Sequence, residues 1–318
     1  MPDSSYAIGL DFGTNSVRAL IADCATGEEI GTHVFQYPTG DSGIVLDPRD
    51  PELARQHPAD YLLGIEATIK EALALAKARD SKVAERVVGI GVDTTGSTPL
   101  PVDVSGSPLA LQEKFARDPA AMAWLWKDHT GHAEAAEITA KARESRPHYL
   151  AKCGGTYSSE WFWSKILHCK RSAPGVFDAA HTWVEIADWI PANLAGAEAP
   201  DKVKRGVCAA GHKAMFNPAW GGYPDQEFLE SVDPALGRIR RSLPDKAYTV
   251  DEPMGGLTAE WAARLGLKPG IAVAVGAFDA HLGAVGSGVK PGTLVKIIGT
   301  STCDCLVWPE SETLADVP

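Results

Sequence analysis

Tyr6-Ala7-Ile8-Gly9-Leu10-Asp11-Phe12-Gly13-Thr14-Asn15-Ser16-Val17-Arg18-Ala19-Leu20-Ile21-Ala22 is the stretch whose reading decides the fold. An apolar run, Tyr6–Leu10, stops at a carboxylate, small polar residues follow, and a second strand-like run begins at Ser16. Two such runs around a glycine-containing turn predict a β-hairpin. Glu28–Tyr37 alternates in polarity and predicts a third strand, so the chain opens as an antiparallel meander without a helix.

Past the meander the period changes. Leu62, Ile65, Ile69, Leu73 and Ala76 share one face at helical spacing, with Asp60 as the expected N-cap and an end near Asp80. That helix feeds Val87–Val92, a β-branched run bounded by Asp93-Thr94-Thr95-Gly96, which reads as a buried strand entering a loop. A strand after a helix after a meander indicates an α/β domain. Helices are expected at Pro119–Trp126, Gly131–Arg143, Ser159–Lys170 (capped by Ser158 or Ser159) and Asp188–Gly196, with a short strand at Thr182–Ile186. Gly206–Asn217, rich in Gly and Ala, leans toward extended structure. Thr258–Leu265 is a helix with a cap at each end, Thr258 and Gly266, leading into the strand Ile271–Val275. Asp279 then opens a helix to Gly286. Lys290-Pro291-Gly292 makes a turn, and Thr293–Ile298, Gly299-Thr300-Ser301-Thr302 and Cys303–Trp308 repeat the logic of the first hairpin. A lone hairpin is marginal in water, so the sequence is expected to be the first part of a longer chain.

Composition narrows the function. At 318 residues and 33.7 kDa the chain is long enough for about two domains, and 45% hydrophobic with 22% charged residues is a globular, not a disordered, composition. Thirty Lys+Arg against 41 Asp+Glu give a net charge of −11, which argues against a nucleic-acid partner. Apolar runs such as Ile271–Phe278 fall short of a bilayer span, and Met1-Pro2-Asp3-Ser4 lacks the start of a secretory signal, so no membrane association and a cytoplasmic location are expected. The six cysteines (24, 153, 169, 208, 303, 305) fit no common zinc pattern and read as buried thiols; His129 and His132 have no second ligand pair in the sequence, and no metal is assigned to them.

Three motifs carry chemistry. Asp11-Phe12-Gly13-Thr14-Asn15-Ser16 can offer backbone N–H groups and hydroxyls to phosphate oxygens while Asp11 holds Mg²⁺ directly or through water; it can equally be a tight turn satisfying itself. The second turn, Gly299-Thr300-Ser301, shifts that balance, because a triphosphate gripped from two sides needs two such hairpins. Asp279, delivered by the apolar Val273–Phe278 run to a helix start, is either an N-cap or a base for a hydroxyl proton, and the helix N-terminus would lower its pKa. No G-x-x-x-x-G-K-[ST] and no G-x-G-x-x-G at a strand end competes.

Gly9–Ala19, Gly91–Asp103, Leu125–His129 (LWKDH), Ser158–Trp163, Cys208–Met215, Val275–Gly286 (VGAFDAHLGAVG) and Ile297–Asp304 together resemble the FGGY carbohydrate kinases, in family order along nearly the whole chain. The resemblance implies a ribonuclease H-like α/β domain of the actin, hexokinase and Hsp70 superfamily, a mixed sheet with flanking helices, over residues 1–288. Residues 289–318 would open a second, nucleotide-binding domain of the same type. It further implies ATP- and Mg²⁺-dependent phosphorylation of L-ribulose at its terminal hydroxyl, as in arabinose catabolism, with another ketose or polyol (xylulose, ribitol, glycerol) as an alternative and a non-catalytic sugar-binding fragment as a rival. Asp279 would be the general base; Asp11 the metal residue; Gly13, Thr14, Asn15 and Arg18, with Gly299, Thr300 and Ser301, the phosphate-binding positions. Gly96, Trp126, Asp128, Lys213 and Asp279 are the residues expected to hold the sugar, a set offering fixed polar groups and an apolar face. Trp126 can instead be core, and Asp128 a solvated helix end. Trp161, Trp163, Trp183, Trp189, Trp220 and Trp261 are assigned to the core or to interfaces. Most of the second domain, which must close to exclude water, is missing, so the stretch alone is expected to be a poor or inactive kinase. Sugar and ATP are the expected partners, and homo-oligomerisation is left open.

Overall fold

The computed structural model describes residues 5–298, 302–309 and 311–313. Strands β1 (Tyr6–Phe12), β2 (Ser16–Asp23) and β3 (Glu29–Gln36) form the expected meander, and the alternation of apolar residues along β1 puts Tyr6, Ile8, Leu10 and Phe12 into the core. Short strands β4 (Val45–Asp47) and β5 (Asp50–Gln56) precede α1 (Pro58–Ala76), which packs on β2 and β3. The contact is close: a Cβ on Gly64 would lie 2.4 Å from Val17 Cγ1, so the helix needs a glycine there. The cap of α1 corrects the sequence reading. His57 accepts from Ala59 N, while Asp60 turns inward and takes Thr39 N and Oγ1, because a proline at the first helical position lets the helix begin earlier.

β6 (Val87–Thr94) runs parallel to β1, and β7 (Pro99–Val102) follows. The expected helix Pro119–Trp126 is absent; a 3₁₀ turn at Pro119–Ala121 leads into β8 (Ala123–Trp124), which pairs with β5. Next come α2 (His132–Ser145), α3 (Phe162–Ser172), α4 (Pro174–Ala179), β9 (Thr182–Glu185) and α5 (Ile186–Ala195), the last ended by Gly196 in the left-handed conformation. The Gly206–Asn217 segment is helical, not extended: α6 (Val207–Lys213) starts where Asp188 Oδ1 takes the Gly206 N–H at 2.7 Å. α7 (Gln226–Val232), α8 (Leu236–Arg241), β10 (Pro253–Gly256), α9 (Ala259–Leu265, capped by Thr258 and Gly266), β11 (Ala272–Ala274), β12 (Ala277–Phe278) and α10 (Asp279–Gly286) follow. A separate hairpin, β13 (Leu294–Ile298) with β14 (Thr302–Leu306), closes the described chain.

The main sheet has the order β10-β11-β6-β1-β2-β3, with β12 also on β6; β6, β11 and β12 run parallel to β1. This is a mixed sheet with flanking helices, as the resemblance implies. One core lies between it and α1, α5 and α9; a second gathers α2, α3, α4, α7 and α8 around Trp163, Trp183 and Phe228. Trp124, Trp163, Trp183 and Trp189 are fully buried. Cys169 is buried as expected, but Cys24 is exposed. Among the described residues no helix is long and apolar enough to cross a membrane.

Candidate active site

A cavity of about 700 Å³ opens at the carboxyl ends of β1, β6 and β12, the place where open α/β sheets bind ligands. Strand register builds its acidic wall: Asp11 and Asp93 are direct partners across β1 and β6, Ala277 pairs with Asp93 across β12 and β6, and Asp279 follows two residues later. All three carboxylates line the cavity. Burial, then the neighbouring and hydrogen-bonded Asp11, then Asp279, push Asp93 up to about 8, and its Oδ1 is buried without a partner among the described residues. Asp279 is raised too, by burial first and by Asp11, against the Ala280 N–H that it accepts at 2.6 Å. The expectation that the helix N-terminus would lower its pKa is therefore corrected: desolvation outweighs the dipole. Asp279 is the first residue of α10, and the cap is Phe278.

Opposite stands Lys213, at the end of α6, its Nζ 5.5 Å from the Trp161 ring centroid and 6.0 Å from that of Phe278. Among the described residues no carboxylate lies within ion-pair distance of it. Gly96 lies against the Phe278 ring, where an added Cβ would come within 1.9 Å of Cε1. The loop after it is fastened from behind. Glu185 accepts from Ser97 Oγ and from Thr98 N, and the fully buried Lys165 ammonium donates to Ser97 O (2.7 Å), Leu125 O (2.8 Å) and Trp124 O (3.3 Å). Lys165 thus ties the Gly96 loop to the segment carrying Trp126.

In the first turn, Gly13 N donates to Ser16 O, Gln56 Nε2 donates to the Gly13 and Thr14 carbonyls, and Trp126 Nε1 donates to Thr14 Oγ1 at 3.0 Å. Asn15 gives its amide to Ser42 O, and the exposed Arg18 stands 3.9 Å from Asp11. Asp128 does not line the cavity. It is fully buried, paired with Arg55 and accepting from Ala54 N and Thr130 Oγ1, so it is neither a solvated helix end nor within reach of a ligand there. Gly299, Thr300 and Ser301 lie outside the described residues. Sequence reasoning had missed Asp93, His281 and Glu160, which line the cavity, and Lys165 behind it. His281 sits between Cys208 Sγ (3.5 Å from Nδ1) and the His212 ring (centroids 4.2 Å apart), and burial lowers both imidazoles, His212 to about 4.

A cavity at the ends of parallel strands, with strand-end carboxylates beside a turn of small polar residues, offers oxygen ligands for a hard cation and backbone and hydroxyl donors for phosphate oxygens. The chain belongs to the FGGY family of carbohydrate kinases, whose N-terminal domain matches residues 6–286. Its relatives include the ribulokinase of Vibrio parahaemolyticus serotype O3:K6, 46% identical over 312 residues, covering 98% of this chain and 54% of that protein. The ribulokinase of Shouchella clausii is 40% identical over 314 residues, covering 96% and 54%. The chain spans about half the length of the curated relatives it matches. Among solved structures, a xylulose kinase from Lactobacillus acidophilus matches with a TM-score of 0.72 at 18% identity, over 94% of this chain and 54% of that one; a glycerol kinase from Plasmodium falciparum matches with a TM-score of 0.72 at 14% identity, over 94% and 53%. At such identities they establish the fold.

Proposed function

We propose that this chain is the sugar-binding half of an ATP-dependent ribulokinase, which phosphorylates the terminal hydroxyl of L-ribulose to give L-ribulose 5-phosphate. Residues 1–288 would form the sugar-binding domain, and 289–318 the start of the nucleotide-binding domain. The observation that carries the reading is the convergence of Asp279, Asp11 and Lys213 on one cavity in a chain 46% identical to a ribulokinase. The enzyme is expected to work in the cytoplasm.

Asp279 takes the proton from the sugar hydroxyl, the hydroxyl oxygen attacks the γ-phosphorus of ATP in line, and the bond to the β–γ bridging oxygen breaks to release ADP. A carboxylate held above its ordinary pKa by burial is better matched to that proton transfer than a fully solvated one. The donor set suits Mg²⁺: Asp11 faces Asp93, whose buried Oδ1 has no partner among the described residues, and adjacent carboxylates favour a hard cation. Asp11, directly or through water, with Asp93 behind it, would hold the ion, which when bound neutralises charge on the phosphates. Gly13, Thr14, Asn15 and Arg18, with Gly299, Thr300 and Ser301, would receive the phosphates, and Lys213, Gly96 and Trp126 the ketose. Asp128 would act on the sugar pocket indirectly, by holding the Trp126 segment to β5.

The test is ADP formation from MgATP with L-ribulose, D-xylulose and glycerol offered separately, on this chain and on the full-length protein. L-Ribulose-dependent ADP release by the full-length protein, with none from the chain alone, is the expected result. Preference for xylulose or glycerol would replace the substrate, and silence of the full-length protein with every sugar would leave a sugar-binding module.

A further inference from the structure

Outside the cavity, next to its lining residue Glu160, Glu52 of β5 meets His129 and His132, and their ligand atoms all lie within 4.8 Å of one another. The spacing is informative. His132 Nε2 is 3.6 Å from Glu52 Oε2, and His129 Nε2 is 3.8 Å from Glu160 Oε1, whereas a charge-assisted N–H···O bond closes to about 2.7–2.9 Å. Two ligand atoms sharing one zinc ion, at bonds of about 2.0–2.1 Å, stand about 3.4 Å apart in a tetrahedron. The imidazoles are nearly parallel, 10° between planes and 5.6 Å between centroids.

The backbone beneath is rigid. His129 N donates to Glu52 O at 3.0 Å, the buried Arg55–Asp128 pair locks the adjoining residues, and Ser159 Oγ lies 3.1 Å from His129 Nδ1, the outer-shell contact that fixes a ligating imidazole and leaves its Nε2 for the metal. His132 is the first residue of α2. We infer that Glu52, His129 and His132 form a binding site for a divalent transition-metal ion of the zinc class. Two imidazoles and a carboxylate are the three-ligand set that leaves one coordination position open, and Glu160 stands where it can accept a hydrogen bond from water there. Because Glu160 also lines the cavity, the ion would brace the sugar-side rim.

The experiment is a titration of the chelator-stripped chain with Co²⁺, followed by its visible spectrum, and with Zn²⁺ by calorimetry, both in an Asp11→Asn background so that an ion on the cavity carboxylates is not counted. The expected result is one ion per chain, a spectrum without a thiolate charge-transfer band, and affinity lowered at least ~10-fold in His129→Gln, His132→Gln and Glu52→Gln, the loss that even an outer-shell change can cause. Zn²⁺ should also raise the melting temperature of the parent chain and not of those variants, whose metal-free melts check that they fold. Absence of saturable binding, equal affinity in the parent and all three variants, or a thiolate band removed by Cys303→Ser or Cys305→Ser would overturn the assignment.

Discussion

Two sets of charged residues, one buried behind the cavity wall and one on its open face, are built by opposite rules. Behind the wall, Arg55 meets Asp128, Lys165 meets three carbonyls, and Glu185 meets Ser97 and Thr98. On the cavity face, Asp11, Asp93 and Asp279 confront one another, raising Asp93 and Asp279. A buried charge compensated within the protein is scaffold. Acidic groups left crowded at an opening are a place for something the chain itself does not supply, which in the proposed function is a cation and a proton to be moved. The contrast also explains the different parts of Asp128 and Asp279, both candidate sugar residues in the sequence: only one of them has a carboxylate left to offer.

The largest effect belongs to the cavity face. In the full-length protein, Asp279→Asn should lower kcat by ~10²–10⁴-fold, the range a positioned general base contributes, while L-ribulose affinity by calorimetry changes little. A fall in kcat under tenfold, or parallel loss of sugar binding, would break the assignment. On the scaffold side the effect should be on folding. Lys165→Met leaves three carbonyls without their shared donor and Glu185 without its nearby cation, and should cost about 3–5 kcal/mol, read as a lower urea midpoint with an unchanged slope. If Lys165→Met is no less stable than the parent, the two sides of the wall do not differ as argued.

Asp93 sharpens the comparison because its sign is reversed. In the folded state it keeps its proton up to about 8, whereas the unfolded chain releases it near ~3.9. Between those values the native state binds more protons than the unfolded one, so stability falls as pH rises through that window. Asp93→Asn, which keeps the shape and removes the charge, should therefore stabilise the chain at pH 8, with the gain shrinking to nothing near pH 4. A melt that shows the same pH slope in parent and variant would sink this reading.

The meander, α1, α9 with its two caps and the strand before Asp279 were legible in the sequence, because alternation, helical period and cap residues act locally. Pro119–Trp126 and Gly206–Asn217 were not. Trp124 gains more from pairing on β5 and burying its ring than from helix, and α6 forms because Asp188, remote in sequence, takes the Gly206 N–H. Of the candidate site, Asp11, Thr14, Gly96, Trp126, Lys213 and Asp279 do converge on the cavity. Asp93 was passed over as the residue that merely ended a strand. Its meaning exists only in the parallel register that sets it beside Asp11, and the same holds for Glu52, meaningful only once β5 lies beside His129.

The smallest effect tests the seam where the two regions meet. Trp126 Nε1 donates to Thr14 Oγ1 at 3.0 Å, joining a segment held from behind by Lys165 to the turn beside Asp11. A neutral hydrogen bond of this kind contributes about 0.5–1.5 kcal/mol. Trp126→Phe and Thr14→Val should each destabilise the chain, and the double variant should cost less than their sum by about 1 kcal/mol, measured as a coupling energy in a denaturation cycle. Additive losses would mean that the scaffold and the turn hold their positions independently, and that Lys165 reaches the phosphate side of the cavity by no route through Trp126.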